Sequence, residues 1–241
     1  MQLNCDLGED YGSFKMPVDA HIMQHIDQAN IACGFHAGDP LTIKTTLQSA
    51  IANGLEIGAH PSYPDLVGFG RRSMKMGHMD LVATIQYQVS ALQAMCRLCG
   101  SELSYVKPHG ALYNDIVTDD TVRLATIQAV SEFKSLELMI QATNLEQQVR
   151  FKEEADKHSL GLIFEAFIDR RYQPDGRLVP RSQPGAVLTQ NEAIAQAKLL
   201  IEEQRVLTQH QQSIEIQATS LCIHGDNPDC IGLASAIRPM L

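Results

Sequence analysis

No stretch of this 241-residue sequence approaches the roughly 20 consecutive apolar residues that a membrane-spanning helix requires. A mean hydropathy of -0.11 points the same way and also argues against disorder. Basic residues are scarce: 19 lysines and arginines face 28 aspartates and glutamates, for a net charge of -9 and a pI near 5.4. Binding to nucleic acid normally begins with a basic face, so this balance disfavours nucleic acid and favours small molecules as partners. The amino terminus, Met1-Gln2-Leu3-Asn4-Cys5-Asp6, lacks the basic start and apolar core of a signal peptide, which predicts a cytoplasmic protein with no membrane association.

Other absences narrow the chemistry. The six cysteines have no framework spacing, which predicts reduced thiols rather than disulfides. Cys96 and Cys99 form a lone Cys-x-x-Cys, but Leu81, Ile85, Val89, Leu92 and Cys96 recur at helical spacing, which predicts a buried helix face. No phosphate loop occurs, and Gly68-Phe69-Gly70-Arg71-Arg72-Ser73 fails the dinucleotide fingerprint at its last glycine. A Gly-x-Ser-x-Gly elbow is missing too. Any use of ATP therefore relies on something other than the usual phosphate loop. There is no Pro-, Gly- or Ser-rich linker, low-complexity tract or repeat, so residues 1–241 read as a single domain.

What is present alternates. Apolar β-prone segments at 2–6, 28–33, 56–60, 104–108, 137–141, 161–167 and 219–224 are separated by helical patterns, which predicts a parallel α/β sheet. Asp39-Pro40 marks a helix start and Gly54 its end, while Asn144 with Gln147 and Thr189 with Glu192 have capping-box spacing. A long helix from about 79 ends near Gly100. Such an alternation builds either a closed (β/α) barrel or an open doubly wound sheet. Polar clusters at the ends of many strands favour the barrel, because an open sheet concentrates its site at one switch point. Two longer loops, 61–78 and 169–188, follow strands and are candidate site walls or lids.

Those strand-end clusters carry the chemistry, and four of the nine histidines sit in them. Asp6 and Glu9 follow the first strand; His36 and Asp39 bracket Ala37-Gly38; His60 precedes Pro61; Lys107-Pro108-His109 ends the fourth strand; His224 ends the last. A carboxylate at a strand tip can act as acid, base or metal ligand, and a histidine can do the same near neutral pH. Asp6 with His36 and His60 has the composition of a hydrolytic site for a divalent metal, although no local His-x-x-x-His supports it. Asp39 reads better as a helix cap. Lys107 can neutralise a carboxylate, a phosphate or a developing oxyanion. Glu165 and Asp169-Arg170 extend the polar ring, with Arg170 suited either to gripping a carboxylate or to an internal salt bridge.

The motifs Asn4-Cys5-Asp6-Leu7-Gly8-Glu9, Ala29-Asn30 through Asp39, Gly58-Ala59-His60-Pro61, Val106 through Asn114, Glu165 through Arg170 and His224-Gly225-Asp226 resemble the LamB/YcsF family, in the family's order and over almost the whole chain. The resemblance implies a seven-stranded barrel similar to the glycoside hydrolase/deacetylase barrels. It further implies ATP-dependent opening of 5-oxoproline to L-glutamate with partner subunits PxpB and PxpC, using ATP with Mg2+ in the assembled complex. Catalytic roles fall to Asp6, His60, Lys107 and His109, and substrate contacts to Glu9, Asn30, His36, Arg71, Tyr113, Glu165, Arg170 and His224. A bound divalent metal on Asp6, His36 and His60 stays open, as does a homo-oligomer. Asp6 or a histidine would serve as general base, and His109 or His60 would protonate the departing nitrogen. The alternatives are a stand-alone metal-dependent amidase or deacetylase and a non-catalytic lactam-binding subunit. Two departures stand out: Ile168 replaces a small residue and is expected to reshape a pocket wall, and the tail after Asp226 looks short for a closing helix.

Overall fold

The computed structural model describes residues 1–12, 19–225 and 229–241, so Asp226 of the last motif lies outside the described residues. The chain runs through β1 (Gln2–Leu7), α1 (Asp19–Ile22), β2 (Gln28–Ala32), α2 (Pro40–Ala52), β3 (Glu56–His60), α3 (His78–Leu98), β4 (Tyr105–Val106), α4 (Gly110–Thr118) and α5 (Asp120–Ser131). It continues through β5 (Glu137–Gln141), α6 (Leu145–Asp156), β6 (Leu162–Phe167), α7 (Gln190–Glu203), β7 (Arg205–Leu207), β8 (Ser213–Glu215), β9 (Ser220–Ile223) and α8 (Cys230–Ile237). Seven of these strands pair in parallel in the order β1-β2-β3-β4-β5-β6-β9 and close into a barrel. Closure puts all seven carboxyl ends on one face, which is where the polar clusters lie.

Strand alternation sorts the side chains into two cores. Leu3, Cys5, Leu7, Ala29, Ile31, Ile57, Ala59, Val106, Leu138, Ile140, Ala166, Leu221 and Ile223 belong to the apolar layer shared with the helices. The inner set is polar. Asn4 donates to Ser220 at 2.8 Å, Ser220 donates to Gln28 at 2.7 Å, and Tyr105 donates to Asn30 at 2.6 Å. Buried amides and hydroxyls of this kind are tolerable only because each finds a partner.

Local signals act where the sequence puts them. Asp39 caps α2 by accepting from the Leu41 and Thr42 amides, Asn144 caps α6 through the Gln147 amide, and Thr189 with Glu192 forms a reciprocal capping box on α7. Along α3, Leu81, Ile85, Val89, Leu92 and Cys96 are buried, and all six cysteines are free. Among the described residues no helix is long and apolar enough to cross a membrane.

Four details differ from expectation. Strand β4 is only two residues long, although the Lys107 amide still donates to Ala59 at 2.8 Å; Pro108 then has no N–H to continue the ladder. The tail does close the barrel with a helix, α8, followed by a single 3-10 turn over Arg238–Met240. Ile168 is fully buried in the apolar layer rather than on a pocket wall. The short antiparallel pair β7 and β8 is an addition between α7 and β9.

Gly58 on β3 faces the barrel interior, where the Tyr105 ring fills the space its side chain would take. A Cβ there would overlap a buried ring that is itself hydrogen-bonded to Asn30, so neither can give way cheaply. Gly58→Ala is expected to lower unfolding free energy by about 1–3 kcal/mol, the usual range for overpacking, in urea denaturation.

Candidate active site

Lys107 stands at the centre. Its ammonium, 2% exposed, lies 2.8 Å from Asp6 Oδ1, 2.8 Å from Glu165 Oε1, 3.2 Å from Asn4 Oδ1 and 3.3 Å from Cys222 Sγ. An ammonium has three protons, and these contacts occupy them. Burial alone would strip the charge from Lys107, but Asp6 and Glu165 outweigh it and hold the pKa well above the usual lysine value. Burial would likewise raise Asp6, yet His60 and Lys107 keep it well below the carboxylate range. Asn30 fixes the same Asp6 oxygen at 2.8 Å, and Tyr113 donates to Glu165 Oε2 at 2.5 Å.

Beside this ion group lies a histidine cluster. Glu9 Oε1 is 3.1 Å from His36 Nε2, 3.2 Å from His109 Nδ1 and 3.9 Å from His60 Nε2. His60 Nε2 also sits 3.4 Å from Asp6 Oδ2, which joins the two groups. Burial would raise Glu9, but the neighbouring His109 and His36 rings pull it well below its ordinary value. Burial, reinforced by His109, pushes His36 down to about 3, so its ring is neutral. The rings of His36 and His109 stack at 3.7 Å, 4° from parallel. The outer nitrogens of two rings are anchored on backbone: His60 Nδ1 lies 2.6 Å from the Lys107 carbonyl and His109 Nε2 lies 3.0 Å from the Phe69 carbonyl.

The 61–78 loop supplies that second carbonyl. Asp65 ties the loop down by pairing with Arg72, and Phe69 adopts a left-handed φ of 54°, uncommon for a bulky side chain. Gly110 has φ of 59° and its missing Cβ leaves room for the Gly70 carbonyl, which accepts from Ala111 at 2.8 Å. The 169–188 loop forms the opposite wall. Arg170, 7% exposed, donates from Nη2 to the Val179 carbonyl at 2.7 Å, and its Nε has no hydrogen-bond partner. Asp169 pairs with His224 at 2.9 Å, and Phe167 stacks on His224. Burial, with Arg181 nearby, brings Arg170 down to about 10, still charged at neutral pH.

These walls enclose a cavity of about 410 Å3 that reaches Asp6, Glu9, His60, Arg71, Lys107, His109, Tyr113, Arg170 and His224. Asn30, His36 and Glu165 stand behind its lining and act on it through their neighbours. Sequence reasoning missed Asn4, Tyr105 and Cys222, which lie in the barrel interior; only strand alternation could have placed them. Burial pushes the Cys33 thiol to about 12 and raises Cys222 as well, so neither offers a thiolate nucleophile. The ensemble can polarise a carbonyl, activate water beside histidines and a carboxylate, and hold an anion on arginine.

The family model described as LamB/YcsF matches residues 1–241. The A-component of 5-oxoprolinase from Vibrio campbellii is 48% identical over 100% of this chain and 95% of that protein. Its counterpart from Pyrococcus abyssi is 40% identical over 100% of this chain and 93% of its own length. A crystal structure of a lactam utilization protein from Thermus thermophilus superposes with a TM-score of 0.89 at 39% identity, covering 99% of this chain and 94% of that one.

Removing the central charge leaves two carboxylates facing each other without a counter-ion. Lys107→Met is expected to destabilise the fold by about 3–5 kcal/mol, the range for breaking a buried ion pair. In a double-mutant cycle by chemical denaturation, adding Glu165→Gln should recover part of that loss, because it removes one of the stranded charges.

Proposed function

The chain belongs to the LamB/YcsF family, and from that membership and the convergent site we propose that it is the lactam-opening component of a cytoplasmic, ATP-dependent 5-oxoprolinase. Its substrate is 5-oxo-L-proline, its product is L-glutamate, and its partners are PxpB and PxpC. One observation carries the reading: Asp6, Glu9, His60, Lys107 and His109, separated along the sequence, open into a single cavity.

The five-membered lactam is a resonance-stabilised amide, so ring opening needs activation. ATP with Mg2+ supplies it in the assembled complex by phosphorylating the carbonyl oxygen, and the nucleotide site belongs to the partners, in keeping with the missing phosphate loop. Water then adds to the carbonyl carbon, the C–N bond breaks and the nitrogen takes up the proton that water releases. A second water frees phosphate from the resulting acyl phosphate. Asp6 is a poor base, because His60 and Lys107 hold its pKa well below the carboxylate range, so its work is electrostatic. The water is activated at the corner formed by Glu9, His60 and His109. Lys107 has no spare proton and acts through its charge on the phosphoryl group and the tetrahedral intermediate that carries it. Arg170, with its unpartnered Nε, receives the substrate carboxylate.

The test is glutamate and ADP formation from 5-oxoproline with the three proteins together and with each left out. Turnover should require all three, and His109→Ala in the folded complex should lower kcat by about 100- to 10,000-fold, as for loss of a group that moves a proton or activates water. Equal turnover without ATP or partners would instead identify a self-sufficient amidase. Unchanged turnover in the His60→Ala and His109→Ala complexes would leave the chain a lactam-binding protein only.

A further inference from the structure

The tautomers of two histidines are fixed by their backbone partners. A carbonyl oxygen can only accept, so His60 Nδ1, 2.6 Å from the Lys107 carbonyl, carries a hydrogen; so does His109 Nε2, 3.0 Å from the Phe69 carbonyl. A neutral imidazole has one N–H. With both rings neutral, the inner nitrogens, His60 Nε2 and His109 Nδ1, both present lone pairs, and they face each other at 2.9 Å. Two lone pairs at that distance repel unless a cation lies against both. Glu9 Oε1 completes the corner at 3.2 Å from His109 Nδ1 and 3.9 Å from His60 Nε2.

These spacings are close to those of a coordination shell. A tetrahedral ion with bonds of about 2.0–2.1 Å separates its ligands by roughly 3.3–3.4 Å. The three observed edges, 2.9, 3.2 and 3.9 Å, bracket that value. Anchoring the outer imidazole nitrogen on a carbonyl is also how proteins orient metal-bound histidines. His36 has its own ligand atom in the same group, but its ring stacks parallel to His109 and lies behind the cavity lining, so the two lone pairs do not converge. It donates instead to Glu9 Oε1 and aims that oxygen. Charge agrees: Asp6 and Glu165 share the ammonium of Lys107, while Glu9 faces the histidines.

We propose that Glu9 Oε1, His60 Nε2 and His109 Nδ1 form a three-ligand site for one divalent transition ion, zinc by its coordination preferences, with the fourth position open to water in the cavity. His36 is a positioning residue for Glu9. An ion there lowers the pKa of its bound water toward about 7, which supplies the activation that the proposed function places at this corner. The site itself rests on ligand geometry and not on the identity of the substrate.

Zinc binding to the full chain, stripped with chelator and titrated calorimetrically without substrate, ATP or partners, is the test. One equivalent should bind, and cobalt(II) in its place should give the intense visible bands of a four-coordinate ion. Glu9→Gln and His109→Ala should each weaken binding by more than about 100-fold, while His36→Gln should cost roughly 10- to 100-fold, as outer-shell partners do. Circular dichroism and thermal melting confirm that each variant is folded; should either ligand variant fail to fold, His60→Gln serves in its place. No stoichiometric binding by folded wild type, with histidine nitrogen NMR showing one proton shared between His60 and His109, would overturn the proposal. Wild-type affinity in the ligand variants would overturn it equally, by placing the ion elsewhere. Because neither readout involves turnover, loss of the 5-oxoprolinase reading would leave the result intact.

Discussion

A single buried ammonium organises this barrel. Lys107 enters the axis from the fourth strand and is neutralised by Asp6 from the first and Glu165 from the sixth, so three strands far apart in sequence share one electrostatic contact. Taking such charges out of water is costly, and the cost is offset only when every proton and lone pair is partnered. That requirement explains the polar barrel interior. Asn4, Asn30 and Tyr113 each use a hydrogen bond to hold the trio, and Ser220, Gln28 and Tyr105 hold those residues in turn.

The same residue sets the chemistry next door. The Lys107 backbone carbonyl fixes His60, while its side chain keeps Asp6 ionised against the other side of that imidazole. Phe69, in an unfavourable backbone conformation, supplies the matching carbonyl to His109. Strain at that loop position and charge at the barrel centre serve one end: two histidines locked with their inner nitrogens facing a carboxylate. The arginine wall contributed by the 169–188 loop and this corner line the same cavity.

Much of this was legible in the sequence, for physical reasons. Alternating β and helical periods marked the strands of the barrel, and the caps at Asp39, Asn144 and Thr189 marked helix starts because their side-chain oxygens are local partners for free amides. Strand-tip placement of Asp6, Glu9, His60, Lys107 and His109 followed from the topology, and all five line the cavity. Which tip touches which did not follow, since it depends on register and on loop backbone. Nothing in the sequence marks Phe69 as a hydrogen-bond acceptor, or Ile168 as part of the outer apolar layer. The eight residues of α8 suffice to cap the barrel because its face is strongly apolar, with Cys230, Leu233, Ala234 and Ile237 buried.

Under the proposed function the lactam is held between the arginine wall and the Glu9–His60–His109 corner, above the Lys107 ion group. A crystal structure of the protein soaked with 5-oxo-L-proline tests it most directly. The substrate carboxylate is expected on Arg170 and the ring carbonyl turned to the histidine corner, its carbon within about 4 Å of a water or ion held there, close to a near-attack distance. A lactam bound outside this cavity, or bound inside it with the carboxylate on the histidines and the carbonyl on the arginine wall, would contradict it.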